Sequence, residues 1–198
     1  MGAVSIPAAQ KMPPAAPAED PASLDIAERR SAGMIDGLRL DDAKKAARVR
    51  QHLVNFIITL KNIHEGRNAP TGDAKHAALE QARDALYAGF DEEALTDTQR
   101  LIIKNGLSAN HYRINYDAFL NLVPALTDEE KRYIHEQLAE VCEHAILLNS
   151  GEAKGELFRN RRGRINNYLS QRGYDLKALS EARNARARGT TPSAQPAR

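Results

Sequence analysis

The segment Val49–Ile63, VRQHLVNFIITLKNI, constrains the fold more than any other part of the chain. Between Gln51 and Leu60 it contains no Asp, Glu, Lys or Arg. Wound as a helix, it places Val49, Leu53, Phe56, Leu60 and Ile63 on one stripe, and Val54, Ile57 and Ile58 on other faces. So wide an apolar surface is covered only when helices lie against it on several sides. The segment therefore predicts a bundle with this helix in its middle. Its polar row, His52, Asn55, Thr59 and Asn62, is then expected to be at least partly buried and hydrogen-bonded, because a buried donor without a partner costs about 1–3 kcal/mol.

The rest of the sequence agrees with packed helices. Ala, Leu, Glu, Lys, Arg and Gln are plentiful and Trp is absent, a composition that favours helix over strand. Asp41 is placed to cap the long helix, which runs to about His64, after a short helix around Leu24–Ile35. A third helix is expected over Ala74–Ala88. Thr96-Asp-Thr-Gln99 and Thr127-Asp-Glu-Glu130 each match the capping box, in which hydroxyl and third-residue side chain satisfy reciprocal backbone donors. The helix after Thr96 breaks near Gly106–Asn110 and resumes to Pro124; the one after Thr127 runs to about Leu148. A last helix holds Arg159–Gln171 and ends at a left-handed Gly173, with a short helical tail from Leu176. Ile134, Leu138, Val141, Ala145 and Leu148 form another apolar stripe, with Cys142 beside it as a small core residue. The predicted fold is all-α, a single-domain bundle of about six helices spanning 23–182, between a disordered Ala/Pro-rich tail (1–22) and a disordered basic tail (183–198).

Several functions are disfavoured at once. A formal net charge of +2 does not make the chain a polycation drawn to nucleic acid. One cysteine excludes an intrachain disulfide and a cysteine-based zinc cluster. No run approaches the roughly 20 apolar residues that span a bilayer. His64-Glu65 and His135-Glu136 lack the second histidine of the His-Glu-x-x-His zinc motif, and no phosphate loop, nucleophile elbow or dinucleotide fingerprint occurs. Neither a metal nor a cofactor is expected. The first residues, MGAVSIP, carry no signal-peptide pattern, which leaves the compartment open.

Two stretches hold the candidate functional residues. In NIHEGRN, Asn62, His64, Glu65 and Arg67 gather an amide, an imidazole, a carboxylate and a guanidinium at one helix end. His64 is the natural general base, since its pKa lies near neutrality; alternatively, His64 and Arg67 only complement the helix dipole. In RNRRGRINNYLSQRGYDL and just before it, Phe158, Ile165, Tyr168 and Leu169 face the core. The same face passes through Arg161 or Arg162, whose guanidinium then needs a carboxylate from another helix or an anionic ligand. Arg161, Arg164, Asn166 and Asn167 are the expected ligand-binding groups with Asn62 and Arg67; Tyr168 is the candidate proton donor.

NIHEGRN, YDAFLNLVPALTDEEK from Tyr116 and GRINNYLSQRGYDL from Gly163 together resemble a bacterial domain family of unknown function. Its members are mostly exported proteins encoded beside polysaccharide-degradation genes. The resemblance covers about Ile26 to Leu176. Members often carry an aromatic pair with tryptophan where this chain has Leu157-Phe158. The resemblance implies a periplasmic or secreted helical protein of carbohydrate metabolism and transfers no catalytic residue. Joined to the residues above, it gives a sugar-binding domain for an acidic or polyhydroxylated carbohydrate, acting through His64 by elimination-type chemistry. A non-catalytic periplasmic chaperone or adaptor is the alternative.

Overall fold

The computed structural model describes residues 20–66 and 69–188, and among these every regular element is a helix. There are eight: α1 (Pro21–Leu38), α2 (Ala43–Glu65), α3 (Gly72–Glu92), α4 (Asp97–Leu107), α5 (His111–Leu122), α6 (Asp128–Ala145), α7 (Gly151–Gln171) and α8 (Leu176–Ala187). The expectation of about six was low because two interruptions make full breaks. Ala109 and Asn110 both take left-handed backbone (φ 57° and 61°), which separates α4 from α5. Gly173 does the same at φ 93° between α7 and α8, a conformation that glycine adopts without the Cβ penalty.

The helix starts follow from local chemistry. Thr96 and Thr127 both form complete capping boxes, with Gln99 and Glu130 as reciprocal partners. The cap of α2 is Asp42, not the expected Asp41; its carboxylate accepts from Lys44 N at 2.8 Å. Two boundaries differ at the ends: α1 begins already at Pro21 behind an Asp20 cap, and α8 continues to Ala187, past the Arg183 at which the basic tail was expected to begin. The remainder of both expected tails, 1–19 and 189–198, lies outside the described residues.

The apolar interior falls into two adjoining clusters. In the first, α2 lies between α1 and α3, α4 packs on α1, and Leu53, Ile103, Phe90 and Ile146 are among its buried members. In the second, α6 and α7 pack together with α5, and Ile134, Leu138, Phe158, Ile165 and Leu169 are fully buried. The α4 helix joins the two halves through α5 and α6. A polar lock reinforces the junction: Glu143 of α6 accepts from Tyr87 of α3 and pairs with Lys104 of α4 at 2.5 Å. Burial together with the Glu143 carboxylate holds the Tyr87 hydroxyl protonated well above its ordinary range. Cys142 is completely buried, 3.6 Å from Ser108 Oγ, and burial pushes its thiol up to about 11.

Helix α2 buries Val49, Leu53, Val54, Phe56, Ile57, Ile58, Leu60 and Ile63, as its sequence demands. Its polar row does not follow the expectation. Asn55, Thr59 and Asn62 are exposed, and only His52 is half-buried. The reason is that α2's neighbours, α1 and α3, leave a strip of it open to solvent. His52 lies against Gly89 of α3, where a Cβ would come within 2.5 Å of the imidazole Nδ1. Gly89→Ala is thus expected to push α2 and α3 apart and destabilise the chain by about 1–3 kcal/mol, measured by urea denaturation. An unchanged midpoint would show that the His52 ring moves aside freely.

Candidate functional site

The α2 terminus that carries NIHEGRN is held by the loop after α6. His64 Nε2 lies 2.8 Å from the Leu147 carbonyl. A carbonyl only accepts, so this nitrogen carries the proton, and the tautomer is set by a structural contact. Glu65 meets the Asn149 amide at 3.5 Å. Asn62 is exposed on the last turn, and its carbonyl accepts from Gly66 N at 3.0 Å. Arg67 lies outside the described residues.

Glu65 and Asn149 of this latch line a cavity of about 190 Å³. Its walls come from Ile26 and Arg30 of α1, the last two turns of α2, the end of α4, the α6–α7 loop and Lys154 in the first turn of α7. Much of the lining is aliphatic. Three of its side chains are cationic, Arg30, Lys61 and Lys154, and Glu65 is its carboxylate. Lys61 is engaged at the mouth by Ser23 and, at 3.9 Å, by Asp20. Arg30 makes no ion pair with any described residue.

Lys154 is the unusual group. It is 6% exposed, and lysine is rarely buried to that extent without a carboxylate partner. Its Nζ donates to the Leu107 carbonyl at 2.7 Å. Leu107 ends α4, and the last carbonyls of a helix lack intrahelical donors and carry the negative end of its dipole. That contact fixes the amine in place but supplies no full negative charge. Burial, and after it the nearby Arg30 charge, push the amine pKa down to about 8.

The α7 candidates are dispersed over other surfaces. Arg161, on the core-facing side, forms a two-point pair with Glu140 (2.6 and 2.9 Å) and also donates to Gln137. Glu140 is thus one of the two kinds of acceptor expected for this arginine, a carboxylate from another helix. Arg164 is exposed and shares with Arg161 and His144 a hollow of about 150 Å³ between α6 and α7. Asn166 lines a shallow groove with Arg162 and Arg183, while Asn167 is exposed. Tyr168 stacks on Tyr133 with ring centres 3.7 Å apart, and Arg172 covers its ring at 4.5 Å. Tyr168 lies fourteen residues beyond Lys154 on α7, about 21 Å along the axis at the usual helical rise. It therefore cannot enter the cavity beside His64 and Glu65.

The sequence profile of the family described as Protein of unknown function (DUF3826) matches residues 70–189. The chain belongs to this family. The DUF3826 span includes Lys154, Leu107, Asn149 and every α7 candidate; it begins after NIHEGRN, so the α1 and α2 walls of the cavity precede it. It also reaches past the expected Leu176 to take in α8. No curated protein matches the chain. Among the described residues no helix is long and apolar enough to cross a membrane, and no group of three or more His, Cys, Asp or Glu could hold a metal ion.

Sequence reasoning passed over Lys154 and Arg30. A signal for Lys154 was present: it stands four residues before Phe158, on the face that continues to Ile165 and Leu169. A lysine on a core-facing position is the same kind of anomaly as the arginine that did attract notice. Arg30 gave no comparable signal, because it reaches the cavity only through the way α1 packs on α2.

Proposed function

We propose that this DUF3826 protein is an exported helical domain of carbohydrate metabolism that binds a small acidic sugar of the uronate class in the cavity between α1, α2 and the start of α7. The observation that carries this reading is a buried lysine with no carboxylate partner among the described residues, lining the same cavity as an arginine that pairs with no described carboxylate. Arg30 would take the ligand carboxylate through its planar fork. Asn149, Ser23 and Glu65, which also line the cavity, suit hydroxyl groups. The aliphatic walls exclude water and strengthen these contacts. For export and the carbohydrate context the support is the resemblance of NIHEGRN, YDAFLNLVPALTDEEK and GRINNYLSQRGYDL to one bacterial family of that setting. Binding is proposed in place of elimination by His64 and Tyr168, because His64 Nε2 is held by Leu147 and Tyr168 lies against Tyr133.

Thermal unfolding in the presence of methyl α-D-galacturonoside and of methyl α-D-galactoside tests the reading. At about 100 times its dissociation constant a ligand adds roughly 2.7 kcal/mol of apparent stability. The acidic glycoside should raise the midpoint by several degrees and the neutral one should not. No shift with either, together with suppression of client aggregation, would favour the chaperone or adaptor alternative.

A further inference from the structure

The cavity holds more than a binding surface requires. A site that only recognises a carboxylate is served by an exposed or paired cation, whereas Lys154 is sunk beneath aliphatic walls contributed by Ile57, Ile58 and Ile146. Resting on the binding reading above, we propose that Lys154 is a nucleophile that condenses with the carbonyl carbon of an oxo acid, such as the open-chain aldehyde of a uronate, to form an imine inside the cavity.

Three structural observations converge on that assignment, and the direction of the amine's pKa shift agrees with them. Lys154 lines the cavity while the residue as a whole is only 6% exposed. Its one described hydrogen bond goes to the neutral main-chain carbonyl of Leu107, itself part of the cavity lining, so one N–H is anchored at the cavity wall and no described carboxylate neutralises the amine. Arg30, on the opposing helix, disfavours a second positive charge there and offers a dock for the ligand carboxylate. The depressed pKa of about 8 leaves Lys154 neutral in about a tenth of molecules at pH 7, against well under a thousandth for an ordinary lysine.

The step balances without a redox partner. The lone pair of the neutral amine forms a bond to the carbonyl carbon, and the carbonyl π electrons move to oxygen. A proton passes from nitrogen to that oxygen to give the carbinolamine. Loss of the hydroxyl with a further proton, as one water, leaves the C=N bond. Glu65, the carboxylate of the lining, is the group suited to relay protons.

The test is reductive trapping. The full chain is incubated with D-galacturonate or pyruvate and sodium cyanoborohydride, then followed by intact mass and peptide mapping. One adduct per chain is expected, on Lys154, at least tenfold faster than on the exposed Lys177, and absent in Lys154→Met. Arg30→Ala, an exposed change, should slow labelling about tenfold and keeps the test decisive if the lysine variant fails to fold. Labelling spread over surface lysines, or unaffected by Arg30→Ala, would overturn the assignment. The two proposals also fail separately. A thermal shift with methyl α-D-galacturonoside but no Lys154 adduct with either carbonyl compound would leave binding standing and remove the imine; an adduct without any glycoside shift would do the reverse.

Discussion

Phe158→Ala is expected to lower the free energy of unfolding by about 3–5 kcal/mol, the range for deleting a buried aromatic ring and leaving a cavity. Phe158 is 1% exposed and stacks on His111 of α5 with ring centres 5.5 Å apart. It stands one turn after Lys154, at the point where α7 meets the second cluster. Its loss removes contacts between α5 and α7 together, and those neighbours cannot close the space without moving a helix. Guanidinium denaturation should show the change as a lower midpoint with little change in slope. Ile114→Ala is the counterpart: that side chain is 58% exposed, so its truncation should change stability by less than about 0.5 kcal/mol. Equal effects of the two substitutions would mean that Phe158 is not packed in the second cluster.

The second large effect is a pH dependence. In the folded chain Lys154 gives up its proton near pH 8, against an ordinary value of 10.5. A folded pKa below the unfolded one means that between these limits the unfolded chain binds more protons, so folding gains stability as pH rises. Below pH 8 the full cost of burying the charge is present; above 10.5 it is gone. The span corresponds to about 3 kcal/mol at about 1.4 kcal/mol per unit. Cys142, Tyr87 and Tyr112 act with the opposite sign above pH 9, because burial raises their pKa values. Comparison with Lys154→Met cancels those contributions. The charged groups facing the amine from the cavity, Arg30, Lys61 and Glu65, remain in both proteins. Relative to wild type, the variant should lose about 3 kcal/mol between pH 8 and 10.5, read from urea titrations at each pH. A difference that stays constant across that range would mean that Lys154 is not perturbed.

Most of the helical order is readable from the chain because its signals are local. The two capping boxes, the stop before Pro124 and the left-handed Gly173 depend on a few neighbouring residues, and each is present. The apolar faces of α2 and α6 follow from periodicity and are buried, except that α6 ends at Ala145 and leaves Leu148, the last residue of its expected stripe, half-buried in the following loop. What periodicity does not reveal is how many sides of a helix are covered. Asn55, Thr59 and Asn62 were therefore expected inside a bundle and lie at a surface between two neighbours. The same difficulty affects the site. The NIHEGRN terminus does border a hollow that α7 also lines, but at Lys154, about 10–20 Å along the helix from Arg161 and Tyr168. Arg161 is occupied by Glu140, and the group that faces the cavity is Lys154. An anomalous arginine and an anomalous lysine on one helix face look alike in sequence; only the neighbouring helices decide which one meets a carboxylate.

Amide chemical-shift mapping during titration with D-galacturonate tests the location of the site most directly. Perturbations centred on Arg30, Glu65, Asn149 and Lys154 are the predicted result. Perturbations confined to Arg161–Tyr168, with Lys154 unmoved, would contradict it.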